Sequence, residues 1–451
     1  MMHDLQPKEE YIPRNYWLGM LNGILVLGGS IYLATDTVLA VFVKDLFGSD
    51  VLVGVLVAVH MTGFHLPSLA VAHLTETAER KKSLYIASAT GRIVFLTSLV
   101  LAVVLVGDGN PTLLYCLIAG CLFGYYACIS VGVLSFFEIV SHSVPVRRRG
   151  AFFAWRRSLG HGLLAVPSLF LIWYLLGEDN PPLQFPYNYA VLFGLALVLC
   201  GAGTLTFCFV KEPVMHVDRR GEGFRSKIIE GLRHSVLHVR FRQLIACRLL
   251  IQMTLVGSSF YVLHSLKILA EPDKKAAIFV ATAPIVSPLI NPLWAKISDG
   301  RGTVKLLRTA YLLGAVAPLI ALCLPLFSSR VVGPAELGIT PQWIAAVVFF
   351  AMSKAALYGN MLGAQNYVME IAPPGRRPIY IGVVSIYMVF GTLVATIAGG
   401  ALADKLGSYA LNLVLASVFA LAAVLIAFKM KEPRDHVPAD EEPQAMPITP
   451  A

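Results

Sequence analysis

Residues Tyr187–Pro213 read YNYAVLFGLALVLCGAGTLTFCFVKEP, and residues Ser408–Pro433 read SYALNLVLASVFALAAVLIAFKMKEP. Each is an apolar run long enough to cross a bilayer core, which takes about 20 helical residues. Each leaves that run through Lys-Glu-Pro, and the two exits lie about 220 residues apart. A run that is apolar on every face suits lipid rather than water. The recurrence, exit motif included, predicts two copies of one membrane-embedded unit.

Working outward from this pair, further apolar segments fall near 16–43, 51–75, 83–106, 112–139, 150–176, 243–269, 276–297, 304–328, 342–369 and 379–402. With 187–210 and 408–430 they make twelve spans. The composition agrees: 57% of 451 residues are hydrophobic and 14% are charged, against about 25% charged in soluble domains. Mean hydropathy is +0.70. That excludes a soluble enzyme, a nucleic-acid-binding domain and a secreted disulfide scaffold. The seven cysteines all fall in apolar segments without a C-x-x-C pair, and read as small buried hydrophobes. The run after the polar first residues is too long for a signal peptide and is expected to be retained.

The net charge of +9 is loop charge that sets orientation. With both termini inside, about 27 of the 36 Lys and Arg face the cytoplasm and about five face outward, as the positive-inside rule requires. Four are assigned to the spans themselves: Arg92, Arg248, Lys267 and Lys354. The expected organisation is a cytoplasmic segment 1–15, a six-helix bundle 16–210, a cytoplasmic linker 211–242, a second bundle 243–430 and a tail 431–451. In the linker, Phe224, Ile228, Ile229, Leu232 and Val236 recur at near-helical spacing among Arg225, Lys227, Arg233 and Arg240. A basic amphipathic helix resting on the inner membrane face is expected.

Two further loop pairs repeat at nearly the same offset. Pro145 with Arg148 and Arg149 answers Pro373 with Arg376 and Arg377, and Leu74–Lys82 answers Ile297–Lys305. Parallel six-helix halves are a transporter architecture with the substrate site between them. On these motifs the chain resembles the major facilitator superfamily over essentially its whole length. The family's loop signature G-x-L-a-D-r-x-G-r-k is matched well after span eight, with Asp299 for the acid and Gly302 for the glycine. After span two the copy is degenerate: Glu76 and Glu79 replace the Asp and Gly, followed by Arg80 and Lys81. A third version, Leu402-Ala403-Asp404-Lys405-Leu406-Gly407, follows span eleven. The family's antiporter pattern of span five is absent; Gly160-His161-Gly162 and Pro167 stand there.

The resemblance implies that spans one, four, seven and ten line a central cavity. Charge at that depth is costly and is a functional candidate by default. Lys354 of span ten is the first candidate, with Tyr358 one turn on and Gln365 further along one polar face. Asp36 of span one, near Tyr32, is its candidate partner and proton carrier. Gln252 of span seven and Tyr126 of span four are candidate substrate contacts. A cytoplasmic charge network of Glu76, Arg80, Glu138, Arg148, Asp299 and Arg376, with Gly302 in its loop, is expected to latch the inner gate, as the resemblance implies. Pro284, Pro288 and Pro292 remove successive backbone donors from span eight and are expected to bend it. Arg92 is expected to be structural. His60, His65 and His161 do not form a metal set, and no metal or cofactor is expected.

The reading is therefore an all-α polytopic membrane protein: twelve transmembrane helices in two pseudo-symmetric six-helix bundles, both termini cytoplasmic. Its expected function is secondary active transport of a small polar or anionic solute across the cell membrane by alternating access, with a proton as candidate coupling ion. No nucleotide-binding loop, nucleic-acid partner or catalytic constellation is expected, and the chain is expected to act as a monomer among membrane lipid. The alternatives are a drug, amphiphile or lipid exporter of the same fold, and a non-transporting receptor or scaffold.

Overall fold

The computed structural model describes residues 12–68, 70, 71, 74, 80–144, 146–176, 182–212, 224–269, 276–332, 340–372 and 377–433. Among them every regular element is helical. The order is α1 (Ile12–Gly29), α2 (Val38–Phe47), α3 (Asp50–His65), α4 (Lys81–Val106), α5 (Pro111–Ser143), α6 (Val146–Leu176) and α7 (Tyr187–Cys208) in the first half. Helix α8 (Phe224–Leu237) follows. The second half holds α9 (Val239–Met253), α10 (Leu255–Ser258), α11 (Tyr261–Leu269), α12 (Ala276–Arg301), α13 (Thr303–Leu322), α14 (Pro341–Ile371), α15 (Arg377–Leu406) and α16 (Ala410–Lys429).

Helices are what this composition allows, because in hydrocarbon each backbone N–H and C=O must be satisfied within its own segment. Among the described residues, ten helical stretches are long and apolar enough to cross a membrane; α3 is apolar but shorter. The chain is a multi-pass membrane protein. Leu105, Val166, Leu289, Leu425 and Phe428 are each more than three-fifths exposed, which suits lipid-facing positions.

Local sequence sets the boundaries. Pro111 and Pro341 stand in the first turns of α5 and α14, where a missing N–H costs nothing. The side chains of Asn110 and Thr340 before them accept from Leu113 and Trp343 N–H at 3.0 and 3.1 Å. Gly48 and Gly407 end α2 and α15 at φ 69° and 61°, the left-handed cap geometry that glycine adopts without strain.

Helix α1 packs on α6 and α7, and α13 packs on α14 and α16. Between the halves, α3 lies along α15 and α6 along α12. Helix α8 is a helix as expected, and it leans on the second half. Ser235 bonds with the Tyr387 hydroxyl at 3.1 Å and His234 with that of Tyr380 at 2.9 Å.

Among the described residues, helix is interrupted within spans one and seven, and span two turns after His65. Helix α1 passes through a 3-10 turn, Ser30–Leu33, and residues 34–37 are not helical before α2 begins. Span seven is divided at Thr254 and again after Ser258. Helix α12 runs unbroken past Pro284, Pro288 and Pro292. The break in span one has a local cause: Gly28-Gly29-Ser30 and Thr35-Asp36-Thr37 are poor helix formers, and the short polar side chains compete for backbone groups.

Candidate functional site

Asp36 lies in the non-helical turn of span one, so its carboxylate is carried by a loop between two half-helices. Broken helices at membrane depth occur where they are buried in protein or line a cavity. The Asp36 carboxylate accepts from the Lys354 ammonium at 2.5 Å. This ion pair joins the first half to the middle of α14 in the second. The Lys354 side chain is 13% exposed and that of Asp36 is 40% exposed, so the pair opens onto solvent space from its acidic side.

Around the pair, Thr35 Oγ1 bonds with His60 Nδ1 at 2.6 Å, and the His60 ring stacks on Tyr126 at 3.7 Å. Tyr358 lies within electrostatic reach of both Lys354 and Asp36 and bonds with Ser287. The His161 Nδ1 bonds with the same Ser287 hydroxyl at 3.2 Å. Four of the sequence candidates are thereby brought together: Asp36, Lys354, Tyr358 and Tyr126. The other three stand apart. Tyr32 is buried in the apolar core at 4% exposure. Gln252 donates to Thr392 Oγ1 at 2.6 Å, a bond within the second half. Gln365 is half-buried further along α14.

At the end of the molecule that carries the turns 48–49 and 407–409, Asp404 of α15 caps α3. Its carboxylate accepts from the N–H groups of Asp50 and Val51 at 2.8 and 3.1 Å and from Ser49 Oγ at 3.0 Å. Asp50 in turn accepts from Lys44 at 2.8 Å and from the Tyr409 hydroxyl at 3.0 Å. A carboxylate at a helix N-terminus satisfies free donors and meets the positive end of the helix dipole. The approach is close enough to require glycine: a Cβ on Gly400 would overlap the Asp50 carbonyl oxygen. Sequence reasoning saw the 402–407 motif but gave it no partner.

At the opposite end the same chemistry works inside each half. Glu212 accepts from Lys81 and Lys82 N–H at 2.8 and 2.9 Å, capping α4. Glu432 accepts from Thr303 and Val304 N–H at 3.1 and 2.9 Å, capping α13. Gly302 precedes α13 at φ 90°, with the Glu432 carboxylate where a Cβ would stand. The repeated Lys-Glu-Pro thus ties the last helix of each bundle to its third.

Of the expected cytoplasmic network, Glu76 and Arg376 lie outside the described residues, as does the side chain of Arg148. Arg80 and Asp299 are exposed, and Glu138 is half-buried. Arg92 is buried: it donates to the Ile129 carbonyl at 3.4 Å and lies over the Tyr85 ring at 5.8 Å. Arg156 and Arg157 lie inside the segment 150–176 although they are not among the four cations assigned to the spans, and α6 carries them about 15 Å beyond its first residue at 1.5 Å per residue. Arg156 donates to Asn22 Oδ1 at 3.0 Å and lies over the Phe136 ring at 4.5 Å.

Two broken spans and an ion pair between the halves, with helices of both halves around it, make up the candidate site. Residues 276–451 match the family model described as Major Facilitator Superfamily. The D-xylose-proton symporter has the same fold at 13% identity, TM-score 0.68, over 95% of this chain and 100% of that one. A mutant form of the nucleoside transporter NupG follows at 11% identity and TM-score 0.66, over 94% and 100%. A bacterial homologue of the iron transporter ferroportin, in an outward-facing state, gives 12% and 0.63, over 92% and 99%. No curated protein matches the chain. The family match thus lies in residues 276–451, and the chain shares its fold with these transporters over nearly its whole length.

Proposed function

We propose that the chain is a secondary active transporter that moves a small polar or anionic solute across the cell membrane by alternating access. It would do so with twelve crossings, both termini cytoplasmic, and a proton as the coupling ion. The observation that carries this reading is the Asp36–Lys354 pair. An ion pair that joins two bundles at mid-molecule is a contact that their relative movement must break or keep. Protonation of Asp36 would release Lys354, and that links proton occupancy to the arrangement of the halves. The Asp404 cap belongs, on this reading, to the state in which the outer ends are closed.

The test is uptake into proteoliposomes from a library of labelled solutes, with and without an inward proton gradient. Asp36→Asn and Lys354→Ala are run beside the wild type. Gradient-driven uptake should fall roughly ten-fold or more in each variant. Solutes that bind without uptake would make the protein a receptor. Uptake of amphiphiles that ignores Lys354 would make it an exporter of that class.

A further inference from the structure

We infer that His60 of α3 is a positioning residue for the Asp36–Lys354 pair: it holds the broken turn of span one at the place where Asp36 meets Lys354. This rests on the transporter reading above and names a residue through which its central contact is set. A carboxylate on a helix is placed by the helix. Asp36 has no such support, because residues 34–37 are not helical. The backbone of the turn holds it loosely. The bonds from Ala34 N–H to the Ile31 carbonyl and from Thr37 N–H to the Ala34 carbonyl both span 3.4 Å, against about 2.9–3.0 Å for a good N–H···O bond. Ordinary length returns where α2 starts, with Leu39 N–H to the Ala34 carbonyl at 3.0 Å. Thr37 Oγ1 finds no partner among the described residues.

A side-chain bond supplies what the backbone does not. Thr35 Oγ1 and His60 Nδ1 stand 2.6 Å apart, and Thr35 is the immediate neighbour of Asp36 in the chain. Thr35 is buried, so water competes little for its hydroxyl. The imidazole is itself fixed. Its ring stacks on Tyr126 of α5 at 3.7 Å, with the two planes 29° apart. About one turn away on each helix the backbones touch: a Cβ on Gly63 would stand 2.7 Å from the Phe123 carbonyl oxygen. Contacts therefore run unbroken from α5 through α3 to the turn, and on to Lys354 of α14.

A charged group keeps its geometry only when the residues behind it are locked by packing and hydrogen bonds, and the attraction within an ion pair falls as its separation grows. Histidine suits the place. Its Nδ1 can accept from the threonine hydroxyl or donate to it, while its flat face packs on an aromatic ring. Tyr126, a candidate substrate contact in the sequence, is here the wall behind His60.

The experiment is a double-mutant cycle on the full-length protein in detergent, read by thermal unfolding. Thr35→Val keeps the shape of the side chain and loses the hydroxyl. His60→Phe keeps a ring against Tyr126 and loses the bond. Each should lower the unfolding temperature of the wild type. Each should lower it much less where Lys354→Ala has already removed the partner of Asp36, because residues that act through one contact are not additive. Thr35→Ser and His60→Asn retain groups able to make the bond and should recover most of the loss, which separates positioning from misfolding. Losses of the same size with and without Lys354 make Thr35 and His60 ordinary packing residues and overturn the inference. So does an unfolding temperature that Thr35→Val and His60→Phe leave unchanged. Uptake into proteoliposomes separates the inference from the transporter reading. For a solute that the wild type takes up, Thr35→Val should cut the maximal rate about ten-fold with KM little changed, since no contact with the solute itself is lost. Coupled losses in the cycle, without uptake by the wild type, keep the positioning role and end the transport proposal. Additive losses with uptake untouched do the reverse.

Discussion

Among the described residues, three carboxylates that cap helix N-termini differ in what they join. Glu212 and Glu432 are half-buried and each ties two helices of the same bundle. Asp404 is exposed and ties α15 of one bundle to α3 of the other. The local chemistry is the same: backbone donors, a helix dipole and an anion. The difference teaches that one device can serve as a fixed rivet or as a clasp. A contact inside a rigid body can be strong, because nothing needs to break it. A contact between bodies that move has to be weak enough for binding energy elsewhere to offset it. On the alternating-access reading proposed above, exposure to solvent would keep the Asp404 cap in that range, since exposed charge contacts contribute little.

The sharpest way to break this comparison is Gly400→Ala. The added methyl overlaps the Asp50 carbonyl oxygen and stands 2.6 Å from the Val51 Cα. Both are backbone atoms, and neither is a flexible chain end that could swing away. Spin labels at the exposed positions Asp108→Cys and Lys405→Cys should report the clasped distance lost in nearly all molecules. An unchanged distance would falsify the clasp.

Next in size are Glu212→Gln and Glu432→Gln. Each loses two hydrogen bonds to a charged acceptor, and the unfolding free energy should drop by about 1.5–3 kcal/mol. The spin-label distance should stay where it is. Should the distance move while stability holds, rivet and clasp would have exchanged roles.

Tyr409→Phe comes third. It removes a donor from the buried Asp50 carboxylate, for about 1.5 kcal/mol, and Lys44 keeps the remaining charge paired. Thermal unfolding reads the loss; the labels should show a modest opening.

The smallest effect on stability is expected from Asp404→Asn, about 0.5–1 kcal/mol after allowance for solvent screening. That same amount should shift the clasped population about two- to five-fold, so the distance distribution changes where the melting temperature hardly does. A large fall in melting temperature with no change in distance would make Asp404 a third rivet.

The repeat was legible because Lys-Glu-Pro recurs after an apolar run, and its purpose was not, because the donors that Glu212 satisfies lie about 130 residues earlier in the chain. Asp36 and Lys354 stood out as charges in apolar segments. They were candidate partners on charge alone; their separation of 318 residues is closed by packing, and a helical wheel for span one would place Asp36 on a face it does not have. Arg156 and Arg157 fall inside the segment 150–176 but follow the Arg147-Arg148-Arg149 run so closely that they read with it as positive-inside charge; the length of α6 carries them into the body of the protein. The three prolines of α12 drew attention to span eight, while helix is interrupted at Gly29–Thr37 and at Thr254, where glycine, serine and threonine supply no comparable signal.

The sequence by itself determined the solvent, the helical architecture and the twofold repeat. Those follow from transfer energies and from backbone groups that lipid cannot satisfy, which are properties of each segment alone. It also narrowed the central chemistry to a few charges that have no ordinary place in a bilayer. Only the tertiary structure decided which charge answers which, and that Asp404 reaches across the halves. Pairing depends on distances between helices far apart in the chain, and no local propensity encodes them.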